Sequence, residues 1–399
     1  MNANLVKAGV AALWTYGGRG VGLLWTVALI AQLGIADYGH YAMAFALAAI
    51  IAAPLDHPFG VRSLRVDEHC YLGERTTRVV LGVGLIGLGL CLIEVNFIAW
   101  FALVVAGGEV TFNAYKSRAL RDGHPNITQR MDTVRQAASI VLGGIYLFAA
   151  STPTLLVAGL LYVAPYLVVA VASGMQIKSA VQIDSGMPTD GGTRIKAVRP
   201  RLPGSRREMS MLFSENLANA VYVQGDVLLL GYLTDSTVAG YYSVASVTAW
   251  AVAFIGQSFG HTFHEKLRLA DGDLAAGPAL KHTVGLACAA GTLLLGAGTV
   301  LLFTPASTQV AVAMMIMSVF VTMRVLNYVF TTVLYLQHRD RTRVLAAAVL
   351  APLKMVLISC LFPLGAVGAA IASVVTDAVL LVWFTRALYR APVREEVSR

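Results

Sequence analysis

Six charged side chains lie near the middle of long apolar runs of this sequence. They are Arg19, Glu109, Asp226, Arg324, Lys354 and Asp377. A charge at the centre of a membrane-spanning helix costs about 2.5 to 3.5 kcal/mol on insertion scales, so such a residue usually faces a cavity or an ion-pair partner. The guanidinium of arginine is a planar fork that binds phosphate through two hydrogen bonds, and it stays charged at physiological pH. The pattern therefore predicts a site for an anion inside a membrane protein.

Two of these residues are the predicted anion ligands. Arg19 lies in a glycine-rich stretch of the first apolar run, which leaves room for an anionic group to approach its guanidinium. Arg324 lies one helical turn from Asn327 in the tenth run and could be the equivalent cation in the second half of the chain. An ion pair with a buried acid is the alternative for both arginines, and Glu109 is the expected acid.

Composition places the chain among polytopic membrane proteins. Hydrophobic residues make up 57% of the chain, charged residues 13%, and the mean hydropathy is +0.68. The net charge is +8 and the pI about 9.4, but the basic residues are scattered in short connections, so nucleic acid is not an expected partner. The four cysteines show no paired spacing, and we predict no metal site, no disulfide framework and no cofactor.

Twelve apolar runs are separated by short polar connections, and each is long enough to span a bilayer as a helix. They are too long for the strands of a membrane barrel and do not alternate, which predicts an all-α protein. The runs cover residues 8–33, 38–60, 78–95, 97–116, 132–150, 154–176, 210–233, 238–261, 283–303, 308–336, 344–362 and 365–388.

Basic residues define the orientation. The even-numbered connections and the C-terminal tail all contain Lys or Arg, whereas the odd-numbered connections contain neither. By the positive-inside rule, both termini are expected on the cytoplasmic side. The alternation also supports the count of twelve, since one missed span would invert every later connection.

The chain divides into two lobes around one long polar segment. We predict an N-terminal six-helix lobe at 1–177, a basic cytoplasmic linker at 178–208 and a C-terminal six-helix lobe with a cytoplasmic tail at 209–399. Gly, Pro, Ser and Asp interrupt any helical period in the linker. The lobes share a G-x-Y-x-x-A motif, which begins at Gly39 and again at Gly240. Six helices per lobe make the repeat parallel, an arrangement common in transporters.

Several motifs resemble those of a known family. They are an Arg in the first span, D-Y-G-x-Y from Asp37, V-A-G-Y-Y from Val238, and G-A-V-G-A-A from Gly365. Together they resemble the polysaccharide (O-antigen or oligosaccharide-lipid) flippases of the multidrug, oligosaccharidyl-lipid and polysaccharide exporter superfamily. The resemblance implies two six-helix bundles around a central cavity in the inner membrane. By alternating access they would move a polyprenyl-pyrophosphate-linked saccharide from the cytoplasmic to the outer leaflet.

A lipid-linked saccharide as cargo would give several residues a role and would imply further partners. Arg19 and Arg324 would bind the anionic headgroup, with Glu109 beside them, while Tyr16, Trp25 and Asn327 would stack on the sugar or donate hydrogen bonds to it. Helix packing or interfacial anchoring is the alternative for the aromatic residues. The implied partners are the anionic lipid-linked saccharide, the bilayer and cell-envelope biosynthesis proteins.

Three of the six charged residues form a second set, in spans 7, 11 and 12. The resemblance implies a sodium ion bound between these spans, for which Asp226 and Asp377 are the available carboxylates. Lys354 departs from that pattern, because its ammonium could occupy the place of the cation. A fixed salt bridge, a proton-responsive triad and sodium coupling all remain open.

Other functions compete with a flippase. A drug exporter of the same superfamily differs only in cargo, and a major facilitator also has twelve spans, but the connection between spans 2 and 3 lacks the G-x-x-x-D-R-x-G-R pattern of that family. A polyprenyl-linked glycosyltransferase or polymerase needs a sizeable outer loop with catalytic residues, and every predicted outer loop is short. We therefore do not expect an enzyme. A scaffold in an envelope assembly complex remains open.

Overall fold

The computed structural model describes residues 3–122, 124–186, 199–270, 272–304, 307–337 and 339–389. Over this part of the chain the structure is all-helical, without a strand, as predicted. Twelve long helices, α1 to α12, follow one another, with a six-residue helix, His264–Leu269, after α8. Their bounds are Ala3–Leu33, Ile35–Ser63, Glu68–Leu90, Phe97–Arg121, Pro125–Ala149, Leu155–Gly186, Arg206–Leu233, Ser236–Thr262, Leu280–Leu302, Thr308–Leu336, Asp340–Leu361 and Ala366–Tyr389.

Eight of the described helices are long and apolar enough to cross a membrane. They are α2, α4, α6, α8, α9, α10, α11 and α12, and a shorter apolar segment, Gly20–Leu33, ends α1. Many of their large apolar side chains are exposed, among them Phe148, Val168 and Leu293 at 62% or more, which a soluble protein of this size would bury. The multi-pass membrane class predicted from composition is thus confirmed.

Helices α3 and α5 begin earlier than their apolar runs. α3 begins at Glu68 rather than near residue 78, because Asp67 caps its N-terminus by accepting a hydrogen bond from the Cys70 N–H at 2.8 Å. α5 begins at Pro125 rather than near residue 132, and proline suits the first turn of a helix. Apolar content marks the part of a helix inside the bilayer, whereas polar first turns extend the helix beyond that part.

The chain divides into two compact units, Met1–Ala220 and Val221–Arg399. The division lies within α7, whereas the sequence-based division at residue 209 assigns nearly all of α7 to the second lobe. In the first unit α4 is central and packs against α2, α3 and α6. In the second unit α10 is central and packs against α8, α9 and α12. The neighbours of the two central helices correspond at an offset of six helices.

Glycines let the central helices approach their neighbours closely. A Cβ on Gly107 of α4 would lie 2.4 Å from the carbonyl oxygen of Gly82 in α3. In the second unit, a Cβ on Gly256 of α8 would lie 2.7 Å from the Cα of Val325 in α10. Real Cβ contacts are essentially never this short, so both positions require glycine, which has no Cβ.

The predicted linker is partly helical, which corrects the expectation that its composition breaks the helical period. α6 continues to Gly186 and α7 begins at Arg206. The stretch 178–185 contains no Gly or Pro, and a helix that is already formed adds one hydrogen bond for each residue it fixes. Residues 187–198 lie outside the described part of the chain, as does the tail after Tyr389.

The end of the linker is attached within the first unit. The Arg201 N–H donates to the Gly73 carbonyl of α3 at 3.1 Å. Arg62, at the end of α2, forms ion pairs with Glu74 of α3 at 2.9 Å and with Glu208 of α7 at 3.0 Å. The first turn of α7 is thereby fixed to the ends of α2 and α3.

Candidate functional site

Four helices of the second unit bring buried charges together. We call Tyr222, Asp226, Arg324, Lys354 and Asp377 the charge network. Asp226 and Asp377 are 0% exposed and Lys354 is 1% exposed. The network therefore comprises two buried anions and two buried cations, supplied by α7, α10, α11 and α12.

The first ion pair joins α11 to α7. Lys354 Nζ lies 2.5 Å from Asp226 Oδ2, and it also donates to the backbone carbonyl of Tyr222 at 3.0 Å. Asp226 Oδ2 accepts a second hydrogen bond, from the Tyr242 hydroxyl at 2.6 Å, and Asp226 Oδ1 accepts from the Val227 N–H at 2.8 Å. Both oxygens of this carboxylate are satisfied, which a buried ion pair needs in order to offset its desolvation.

The second ion pair joins α10 to α12. Arg324 Nη2 donates to Asp377 Oδ2 at 2.7 Å, and Asn327 Nδ2 donates to Asp377 Oδ1 at 2.8 Å. The guanidinium carbon of Arg324 lies 4.7 Å from the ring centre of Trp250 and 5.1 Å from that of Tyr222, within the range of cation–π attraction. Arg324 Nε has no hydrogen-bond partner.

Tyr222 connects the two pairs. Its carbonyl accepts from Lys354, while its hydroxyl accepts from Arg324 Nη2 at 2.7 Å and lies 3.3 Å from Asp377 Oδ2. A displacement of this part of α7 would therefore disturb both ion pairs at once.

Of the alternatives left open for Asp226, Lys354 and Asp377, the structure shows a salt bridge that includes only two of them. Asp226 and Lys354 form one pair, but Asp377 is paired with Arg324, on another helix. The expectation that Glu109 neutralises Arg324 is wrong, because Asp377 does so within the second unit. Asn327 donates to this carboxylate and is 1% exposed. Its predicted role in binding cargo stays a prediction.

The first unit contains a mostly buried arginine that the sequence analysis missed. Arg135, on α5, lies 3.4 Å from Glu109 Oε1, which also accepts a hydrogen bond from the Tyr166 hydroxyl. The side chain of Arg135 is 11% exposed, and its Nε and Nη1 atoms are buried without a hydrogen-bond partner. Its guanidinium carbon lies 4.2 Å from the ring centre of Tyr166. The sequence signal that could have identified Arg135 was its position three residues inside the fifth apolar run.

Trp25 lies in an aromatic cluster of the first unit. It stacks on Tyr162 with 5.7 Å between ring centres and meets Tyr41 edge-on at 6.3 Å. Only 3% of Trp25 is exposed, so in this conformation its ring contacts protein. The predicted contact of Trp25 with a sugar stays a prediction.

Arg19 and Tyr16 belong to α1, but their side chains lie outside the described part of the structure. The backbone beside Arg19 is defined: a Cβ on Gly18 would lie 3.2 Å from Gln136 Oε1, and one on Gly22 would lie 2.9 Å from Gln136 Nε2. Gln136 follows Arg135 directly on α5. The glycine-rich face of α1 therefore packs against the segment of α5 that contains the missed arginine.

The described residues contain no group of three or more His, Cys, Asp or Glu side chains that could hold a metal ion. Asp226 and Asp377 act separately, each with its own cation.

Comparison with known proteins identifies the fold. No protein-family model matches the sequence, and no curated protein is significantly similar to it. Among solved structures, the lipid II flippase MurJ in an inward closed conformation superimposes with a TM-score of 0.67 at 10% identity, over 96% of this chain and 88% of that one. An inward-facing multidrug resistance MATE transporter gives 0.58 at 13% identity, over 99% of both chains. A transporter from Pyrococcus furiosus gives 0.51 at 14% identity, over 96% and 95%.

These similarities define a polytopic helical fold, the one that this flippase and this exporter share. The chain has the fold of the multidrug, oligosaccharidyl-lipid and polysaccharide exporter (MOP) superfamily, as its motifs indicated. Because the chain has this fold, we no longer consider the major facilitator alternative. Flippases and drug exporters both have this fold, so the fold alone does not identify the cargo.

Proposed function

We propose that this protein is a flippase of the inner membrane. It moves a polyprenyl-linked saccharide with an anionic (pyro)phosphate headgroup from the cytoplasmic to the outer leaflet by alternating access. The MOP fold supports transport, and the similarity to a lipid II flippase over 96% of the chain supports a lipid-linked cargo. Assembly with cell-envelope biosynthesis proteins would follow from such a cargo.

The observation that supports an anionic cargo is the incomplete pairing of Arg135. Its nearest acid, Glu109, lies 3.4 Å away, longer than the roughly 2.8 Å of a charge-assisted hydrogen bond. Nε and Nη1 of Arg135 have no hydrogen-bond partner. A buried polar group without a partner costs about 1 to 3 kcal/mol, and a phosphate that accepts from both nitrogens would offset this cost.

Access to these donors requires a conformational change, since both nitrogens are enclosed in this structure. Alternating access supplies such a change. Arg19, on the helix that packs against the same part of α5, is the proposed second ligand. Arg324 is a third candidate, with Asp377 as its present counter-ion.

A reconstituted flipping assay tests the proposal. A fluorescent polyprenyl-pyrophosphate saccharide and the same lipid without its phosphates are compared in vesicles. We expect faster flipping of the charged lipid. Arg135→Gln should reduce that flipping about 10- to 100-fold, because one charged hydrogen-bonding group contributes about 1.5 to 3 kcal/mol. Arg135→Lys should also be impaired, since a point charge replaces the fork.

Arg130→Gln is the matched control, because Arg130 is exposed on the same helix. Its flipping rate should equal that of the wild type. Unchanged flipping by folded Arg135→Gln would exclude Arg135 as a ligand. Transport of an organic cation, with no movement of either lipid, would identify a drug exporter instead.

A further inference from the structure

The oxygen atoms around Lys354 form a site of the kind that binds a small cation. Asp226 Oδ2 lies 2.5 Å from Lys354 Nζ, and the Tyr222 carbonyl oxygen lies 3.0 Å from it. Carboxylates and helix carbonyls are the ligands by which membrane transporters coordinate sodium. The ammonium group of Lys354 occupies this position, and it is 1% exposed.

Under the family resemblance, Asp226 and Asp377 are the carboxylates that would bind sodium, but each already has a cationic partner. Asp226 is neutralised by Lys354, and Asp377 by Arg324 Nη2 at 2.7 Å with Asn327 Nδ2 at 2.8 Å. A sodium ion at Asp226 Oδ2 would lie within contact distance of the ammonium group, and like charges repel strongly in a buried site. The residues present do not fit a sodium ion.

We infer that Lys354 is a tethered cation that replaces a mobile sodium ion. Its ammonium supplies the positive charge that holds Asp226, Tyr222 and α11 together, so the second unit neither binds nor requires sodium. The inference depends on the charge network and not on the cargo. It holds for a flippase and for a drug exporter alike.

Thermal unfolding of the full chain in nanodiscs tests the inference. Sodium chloride is titrated against choline chloride at constant ionic strength, and unfolding is followed by tryptophan fluorescence. A bound ion stabilises the folded state as its concentration rises, until the site is filled. The Tm of the wild type should be the same in both salts. Lys354→Met keeps the apolar stem but frees the oxygens. Its Tm in choline should be below that of the wild type, and it should rise with sodium and saturate.

Two variants are matched controls. The double variant Lys354→Met, Asp226→Asn lacks both the ammonium and the carboxylate, so its Tm should not respond to sodium. Lys281→Met removes an exposed lysine and should behave as the wild type does. Both results would assign the sodium response of Lys354→Met to the carboxylate of Asp226.

Two results would overturn the inference. One is a saturable rise of the wild-type Tm with sodium, which would show a mobile ion beside Lys354. The other is a folded Lys354→Met protein whose Tm ignores sodium. If Lys354→Met is not recovered folded, the wild-type titration decides alone, because a resident sodium site would stabilise the wild type.

Discussion

Asp377 accepts hydrogen bonds from Arg324 and Asn327, and this arrangement leads to a stability prediction. Asp377→Asn preserves the shape of the side chain but leaves the guanidinium of Arg324 buried without a counter-ion. Breaking a buried pair by removing one partner costs about 3 to 5 kcal/mol. We therefore expect a clearly lower Tm for Asp377→Asn, measured by differential scanning fluorimetry in detergent.

The control for this variant is Asp235→Asn. Asp235 caps α8 by accepting from the Val238 N–H at 2.9 Å, and asparagine caps a helix about as well as aspartate. Its Tm should equal that of the wild type. Equal stability of Asp377→Asn would mean that Arg324 finds its counter-charge elsewhere.

At the residue scale, the sequence identified the charges but not their pairing. Asp226, Lys354 and Asp377 stood out because each interrupts an apolar run. Their partners are far away in the chain: Lys354 and Asp226 are 128 residues apart. Which charge meets which depends on the rotation of each helix about its axis, and the weakly amphipathic helices of a membrane protein do not reveal that rotation. The same reason explains the wrong choice of Glu109 for Arg324.

At the scale of helices, the packing of α8 on α10 depends on one glycine. A Cβ at Gly256 would lie 2.7 Å from both the Cα and the carbonyl oxygen of Val325, which are backbone atoms that cannot move aside easily. Gly256→Ala should destabilise the protein by about 1 to 3 kcal/mol, the usual cost of overpacking. The measurement is the Tm together with the yield of monodisperse protein.

Gly296→Ala provides the comparison. Gly296 lies in α9, and a Cβ there meets nothing within 4 Å. Because alanine favours helix over glycine by about 1 kcal/mol, this variant should be as stable as the wild type or more so. If Gly256→Ala behaved in the same way, α8 and α10 would not be as close as described.

Helix positions were predicted well, because the bilayer imposes a length on every span. Interfaces such as Gly256 on Val325 were not, since glycines occur throughout these helices and some of them, such as Gly296, have open space beside them. Only the structure separates a glycine that is needed for packing from one that is not.

At the scale of the whole molecule, the orientation in the membrane remains a prediction from basic residues. Cys91 follows α3 and is expected outside, whereas Cys70 lies at the start of α3 and is expected inside. Single-cysteine variants in spheroplasts are treated with a membrane-impermeant maleimide. Cys91 should react at once, and Cys70 only after the membrane is permeabilised.

Cys288 is the internal control, because it lies within α9 and faces outward from the protein. It should react in neither condition, since a membrane-impermeant reagent does not enter the hydrocarbon core of the bilayer. If Cys70 were labelled in intact cells and Cys91 were not, the orientation would be the opposite of the predicted one, with the linker outside.

The charge network also determines how the second unit responds to the electric field of a membrane. The charges of Asp226 and Lys354 cancel, as do those of Asp377 and Arg324. Moving one elementary charge through a membrane potential takes about 2.3 kcal/mol per 100 mV, whereas a neutral pair that moves together takes none. A carboxylate that releases a mobile ion is left with an uncompensated negative charge. Lys354 is part of the chain and cannot dissociate in this way. Motions in which each pair moves as a unit are therefore electrically silent, and the potential neither drives nor opposes them.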